Sequence, residues 1–347
     1  MSLHSTRTHA FVTPDGHPVI LNGLNVVPVW GADGGRSWGR SRYRAIARHG
    51  FNSVRFVLYW DELEPRRGAF AAARLTTLDR AVADARAAGL YVLLDMIHLW
   101  GAGGMRSVPA WARVGDSVAT IEANAIPYLR MLAARYAGEP AVAAYDPVNE
   151  PYRWPIDQDA VLRMYNRLIG AIREVAPRKI VLVEPTYGDT SLRAGCADLG
   201  SLVYRRDVVI SIHDYFAGGD GDGFGEGCRQ RGRYAWDGRT GYRPARAGQL
   251  AAHVRAYLSA AARAGLPVEV GEYGMGFRAG DQRRWVRDTV RLFNRYGLSR
   301  AWWEYRTRAN GGALSATDAR GRWRPFTRLL TTTASPANDQ KGLQTCA

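Results

Sequence analysis

The sequence predicts an α/β protein built as a single eight-stranded parallel β/α (TIM) barrel over residues 1–330, with residues 331–347 as a flexible C-terminal tail. Three observations carry that prediction. Eight apolar, strand-like runs recur along the chain. They are continuous rather than alternating, which marks strands covered on both faces, as in parallel sheets. A helix-like segment precedes every run after the first, and eight such alternations in 347 residues favour a closed barrel over an open doubly wound sheet. No glycine-rich dinucleotide fingerprint follows the first run, which weighs further against the open sheet.

In chain order, the first run is VILNGLNVV (19–27). A helical stretch then stops at His49-Gly50-Phe51, and SVRFVLYW (53–60) follows. The next helix carries Leu75, Leu78, Val82 and Ala85 on one face and stops at Ala88-Gly89-Leu90 before YVLLDMI (91–97). AVAAYDPV (141–148), KIVLVEP (179–185) and DVVISIHDY (207–215) are the fourth to sixth runs. Ala264-Gly265-Leu266 precedes PVEVGEY (267–273), and Tyr296-Gly297-Leu298 precedes RAWWEY (300–305). At these four junctions glycine accepts the left-handed conformation that ends a helix, and the apolar residue after it packs back.

Hydrophobic residues make up 46% of the chain, enough for a substantial core. The formal charge is +15, but only Lys179 and Lys341 among the 47 basic residues are lysine. The arginines are scattered through helix-like stretches, with no basic tail, so a solvated arginine surface is expected and nucleic-acid binding is not. No apolar run reaches the roughly twenty residues that span a membrane. The opening MSLHSTRTHAF lacks a signal core; an extracellular location is favoured if Met1-Ser2-Leu3 replaces a removed signal. Cys196, Cys228 and Cys346 fit no zinc site, and they leave a Cys196–Cys228 bridge and free thiols as alternatives. A monomer without cofactor or metal is expected.

Polar residues gather at the ends of the runs, where a β/α barrel carries its active site. They include Arg55, His98, Asn149 with Glu150, Glu184, His213 with Tyr215, Glu272, and Trp303 with Glu304. In AVAAYDPVNEPYRWP a buried strand ends in an amide and a carboxylate and is halted by Pro151. Glycosidic bond hydrolysis needs two carboxyl groups facing one cleft, and Glu150 and Glu272 are the candidates. Arg55, inside VRFVL, needs a buried carboxylate as partner, and Glu272 would stay ionised beside it. The glycine-rich segment 217–246, with Phe224, Tyr234, Trp236 and Tyr242, is expected to cover the cleft with ring faces suited to sugars. Its AspGlyAspGly at 220–223 lacks the full ligand spacing of a calcium loop.

These residues resemble glycoside hydrolase family 5, the cellulase family of retaining β/α-barrel glycosidases, from about Val19 to Leu330. AsnGluPro at 149–151 is similar to its acid/base strand and GlyGluTyrGly at 271–274 to its nucleophile strand; Arg55, His213-Asp214-Tyr215 and Trp303 match further positions. The resemblance implies that Glu150 is general acid and base, Glu272 the nucleophile, and Asn149 a ligand of the neighbouring sugar hydroxyl. Arg55 and Tyr215 would hold Glu272, His213 would support Glu150, and Trp303 would floor the sugar subsite. The family's strand-3 histidine lies two residues after the aspartate, whereas here Asp95-Met96-Ile97 precedes His98. Either a bulge re-aims His98 or its role is vacant. Alternation turns Glu304 away from Trp303, so it, Glu184 and Asp95 are read as structural or subsite residues. The implied substrate is a β-linked glucan or mannan. The stretches WDELEPRRGAF and LYVLLDMIHLW resemble the endoglycoceramidase-like branch, which makes a glycolipid the alternative substrate; a catalytically impaired sugar-binding barrel is the non-enzyme alternative.

Overall fold

The computed structural model describes residues 2–27, 39–97, 107–113, 118–151, 158–185, 199–217, 224–225, 229–230, 242–276, 281–306 and 314–332. Eight strands close into a barrel. They are β1 (Asn22–Val26), β2 (Ser53–Val57), β3 (Tyr91–Asp95), β4 (Val142–Asp146), β5 (Ile180–Val183), β6 (Val208–Asp214), β7 (Val268–Tyr273) and β8 (Arg300–Trp302). Each pairs in parallel with its sequence neighbours, and β1 pairs with β8 to complete the ring. The predicted architecture is the observed one.

Helices Arg40–Arg48, Ala72–Ala87, Val118–Tyr136, Gln158–Val175, Ala247–Arg263, Gln282–Arg295 and Thr327–Leu330 link or follow the strands. Between β5 and β6 the described residues hold only the 3-10 turn Leu199–Ser201. The four glycine junctions share one geometry. Gly50, Gly89, Gly265 and Gly297 have φ of 101°, 77°, 66° and 64°. The next residue's N–H returns to the helix, as Leu90 does to Ala85 at 3.0 Å and Leu298 to Phe293 at 2.9 Å. That pairing satisfies a carbonyl the helix end would leave orphaned, and it aims the chain into the next strand.

Two apolar layers follow from strand alternation. Leu24, Phe56, Leu94, Tyr145, Ile210, Val270 and Trp302 face outward beneath the helices. Leu21, Leu93, Ala144, Ile180, Leu182 and Val209 face inward and meet Leu3 and Phe11 of the N-terminal segment, which closes the amino end of the barrel. The apolar floor leaves the carboxyl half of the interior to polar groups. β8 ends at Trp302, short of the expected Tyr305, because Glu304 turns its N–H to Leu314 while Tyr305 donates to Asn25. Among the described residues no helix is long and apolar enough to cross a membrane. All three cysteines, residues 220–223 and most of the predicted tail lie outside the described residues.

Candidate active site

Arg55, in the middle of β2, is fully buried and organises the interior. Its Nη1 donates to Glu272 Oε1 at 3.1 Å and to Asn25 Oδ1 at 3.0 Å. Its Nη2 donates to Asp146 Oδ2 at 2.6 Å, Asn149 Oδ1 at 2.9 Å and Glu184 Oε1 at 3.1 Å, and Asp95 Oδ2 lies 3.4 Å from Nη1. Sequence reasoning gave Arg55 one carboxylate; the structure gives it four, from β3, β4, β7 and the end of β5. Burial opposes the guanidinium charge, but these carboxylates together raise its pKa. One cation cannot balance them all. Burial, with the Asp146 charge adding to it, pushes Glu184 well above the usual carboxylate range, and burial raises Asp146 as well.

The Asn-Glu-Pro turn is held by this cluster. Glu150 has φ of 48°, a left-handed conformation that non-glycine residues seldom adopt. Its N–H donates to Glu184 Oε2 at 2.6 Å, so a second carboxylate fixes the backbone that aims the first. The Glu150 side chain remains 19% exposed, whereas that of Glu272 is 5% exposed: one reaches solvent, the other is sunk against Arg55.

Alternation along β6 turns His213 and Tyr215 inward and Asp214 outward. Asp214 meets His253 at 3.3 Å, and the His253 ring stacks on Phe216 with centroids 4.3 Å apart, tying the strand to helix Ala247–Arg263. A register shift between β6 and β7 after Ile212 brings His213 beside Glu272. His213 Nδ1 lies 2.7 Å from Glu150 Oε1 and 3.6 Å from Glu272 Oε2, while Nε2 is 3.2 Å from Glu184 Oε1. Burial disfavours the charged ring, yet Glu184, Glu272 and Glu150 outweigh it and hold the imidazole pKa well above normal. His213 Nδ1 stands in hydrogen-bond contact with Glu150 Oε1. Tyr215 donates to Glu272 Oε2 at 2.8 Å, so each Glu272 oxygen has its own donor.

Glu150, His213 and Glu272 each offer one atom, and these atoms lie within 4.8 Å of one another. The same spacing would pinch a small cation, but Arg55 and Tyr215 already donate to Glu272, and His213 already contacts Glu150. Trp303 is half-buried just past the end of β8. Glu304 is buried, and burial, followed by the Glu272 charge, raises its pKa well above the usual carboxylate range. Tyr242 is fully buried and donates to Asp288 at 2.8 Å; it packs on a helix instead of lining the cleft. His98 and Trp236 lie outside the described residues.

Sequence reasoning missed Asn25, Asp146, Ser211 and Glu269. Ser211 donates to Glu269 Oε1 at 2.8 Å in a row beneath His213, and burial raises the Glu269 pKa to about 7. A Cβ on Gly271 would come 2.4 Å from Ser211 Oγ, so only glycine lets β6 and β7 close at that level. A signal was present. Asn25, Arg55, Asp95, Asp146 and Glu184 interrupt the apolar character of five consecutive runs.

Fold and site together define a parallel β/α barrel whose cleft carries two glutamates, one just after β4 and one on β7. The chain belongs to the cellulase family, glycosyl hydrolase family 5, whose model matches residues 12–308. Over 183 residues it is 30% identical to Probable glucan 1,3-beta-glucosidase A of Aspergillus clavatus, covering 50% of this chain and 41% of that protein. Over 120 residues it is 34% identical to Endoglycoceramidase I of Rhodococcus hoagii, covering 32% of this chain and 23% of that one. The chain thus spans less than half the length of the curated relatives it matches. In overall fold it is similar to a crystal structure of endogalactoceramidase, with TM-score 0.73 and 23% identity over 95% of this chain and 84% of that chain.

Proposed function

We propose that the protein is a retaining β-glycoside hydrolase in which Glu150 is the acid/base and Glu272 the nucleophile. The observation that carries this reading is the closeness of the two carboxyl groups, with one oxygen of each inside a 4.8 Å cluster. Retention needs carboxyl groups about 5–5.5 Å apart, whereas inversion leaves room for a water between them.

In the first step a Glu272 oxygen bonds to the anomeric carbon as the glycosidic C–O bond breaks, and Glu150 delivers its proton to the departing oxygen. In the second, Glu150 takes a proton from water, the water oxygen bonds to the same carbon, and the ester C–O bond returns its electrons to Glu272. Arg55 and Tyr215 stabilise the carboxylate that departs, and His213 orients Glu150. Asn149, held by Arg55, is left to meet the adjacent sugar hydroxyl with its amide, while Trp303 floors the subsite. A β-linked glucan or mannan is the leading substrate class. A glycolipid is the second reading, favoured by the identity to an endoglycoceramidase over 120 residues.

The test is NMR of the first-formed product. Release of the β anomer is expected; immediate release of the α anomer would rule out double displacement.

A further inference from the structure

Glu184, just past the end of β5, stands behind Glu150 at two points. One is the backbone: Glu184 Oε2 accepts the Glu150 N–H at 2.6 Å, where the chain holds its left-handed φ of 48°. The other runs through a ring. His213 Nε2 lies 3.2 Å from Glu184 Oε1, and His213 Nδ1 lies 2.7 Å from Glu150 Oε1. A single carboxyl group therefore borders the main chain of Glu150 and, across one imidazole, its side chain.

Glu184 is itself held firmly. Its N–H donates to Tyr165 Oη at 3.1 Å, and Tyr165 donates to Val148 O at 2.9 Å, just before Asn149 and Glu150. Arg55 Nη2 donates to Glu184 Oε1 at 3.1 Å and, from the same nitrogen, to Asp146 and Asn149. Burial strengthens the group's hold on a proton, but each of its oxygens already accepts an N–H. A ring nitrogen that faces an accepting oxygen carries the hydrogen, and the other ring nitrogen is then turned toward Glu150. Packing alone does not call for a carboxyl group here. An apolar side chain of similar size would spare the desolvation cost of a fourth acid beside Arg55, joining Asp95, Asp146 and Glu272.

We propose that Glu184 is a positioning residue for proton transfer: it fixes the Glu150 backbone and holds the His213 ring so that Nδ1 meets Glu150 Oε1. The inference rests on Glu150 as the acid/base and extends the machinery to β5. Glu184 touches no reacting atom and acts only through Glu150 and His213. Its loss should therefore weigh most on a bond cleavage that needs a proton from Glu150, and least on one that does not.

The experiment compares kcat/KM, which reports formation of the glycosyl-enzyme, on two aryl β-glycosides. A dinitrophenol leaving group departs without a proton, whereas a methoxyphenol needs one. Glu184→Gln should lower kcat/KM on the methoxyphenyl substrate by up to ~10²-fold, and the loss on the dinitrophenyl substrate should be roughly tenfold smaller. The E184Q/H213Q double variant should lose less on the methoxyphenyl substrate than the product of the two single losses, because part of the effect passes through the ring. Glu150→Ala is the reference and should show the same split in its strongest form. If Glu150→Ala splits the substrates but Glu184→Gln lowers both equally, or neither, this proposal alone is overturned. If Glu150→Ala treats both substrates alike, the acid/base reading falls and this one with it. Independent losses in the double variant would overturn the part assigned to the ring. Should Glu184→Gln fail to fold, Glu184→Asp makes the same comparison. It keeps the charge but is one methylene too short for both contacts, so the split should persist on a smaller scale, and equal losses would overturn the proposal.

Discussion

Glu184 shows how one side chain acts on several functional groups. Its two oxygens receive the Glu150 N–H and the Arg55 guanidinium, and His213 Nε2 stands 3.2 Å away. Glu184→Gln keeps the volume but replaces one of the two acceptor oxygens with an amide nitrogen, so the Glu150 turn should loosen. We expect kcat to fall, up to ~10²-fold, with KM little changed, since small misplacements of a reacting group cost that much. An unchanged kcat would reduce Glu184 to packing. Arg55 makes a sharper case. Arg55→Met strands several buried carboxylates and should destabilise the fold by about 3–5 kcal/mol. Arg55→Lys restores a charge but not the planar fork that reaches Asp146, Asn149, Glu184 and Glu272 together. Denaturant unfolding should find the lysine variant between wild type and Arg55→Met, with hydrolysis still impaired; full activity in Arg55→Lys would show that the fork is dispensable.

At the scale of elements, the strands were legible because buried parallel strands read as continuous apolar runs, and four helix ends because glycine alone takes their positive φ without strain. Strand ends were less legible. RAWWEY reads as six strand residues, yet pairing stops at Trp302 when the chain turns to meet residues 314–317. Register was invisible too: the shift that brings His213 beside Glu272 arises between strands far apart in sequence. For the same reason Arg55 announced that it needed a carboxylate without revealing that it had four. Helix Gln282–Arg295 allows a separate prediction. Arg287→Glu places an acid between Arg283 and Arg291, replacing two like-charge contacts with two opposite ones. Each exposed i,i+4 pair contributes about 0.2–0.5 kcal/mol. Thermal unfolding at low salt should therefore show a slight rise in Tm, and a fall would mean that Arg287 makes a stabilising contact.

Across the whole molecule the barrel separates two environments, an apolar floor and a polar upper interior with more carboxyl groups than cations. Several of its groups hold protons more tightly than they would in water. Burial raises Glu269 from the ordinary 4.5 to about 7. Between those values the folded chain binds a proton that the unfolded chain has lost, so stability falls as pH rises through that window and then levels. His213, raised above the ordinary 6.5, acts in the same direction: its contribution is full below 6.5 and is lost as pH rises through its folded pKa. Glu269→Gln should flatten the dependence of Tm on pH between about 4.5 and 7. Curves parallel to wild type would mean that Glu269 titrates normally. The total charge was plain in the sequence; which arginines are neutralised was not, because pairs such as Arg135 with Asp79 and Arg167 with Glu122 form between helices far apart in the chain.

The roles of the two glutamates are tested most directly by azide rescue on an aryl β-glycoside with a dinitrophenol leaving group, which departs without a proton. Glu150→Ala should still form the glycosyl-enzyme through Glu272 and then stall, because no base activates water. Azide needs no base, so it should restore turnover and yield the β-glycosyl azide. Glu272→Ala lacks the nucleophile, so azide can enter only from the opposite face and give the α product. The predicted result is a β-azide from Glu150→Ala and not from Glu272→Ala. Swapped products would reverse the two roles, and full hydrolytic activity in both variants would put the reaction elsewhere.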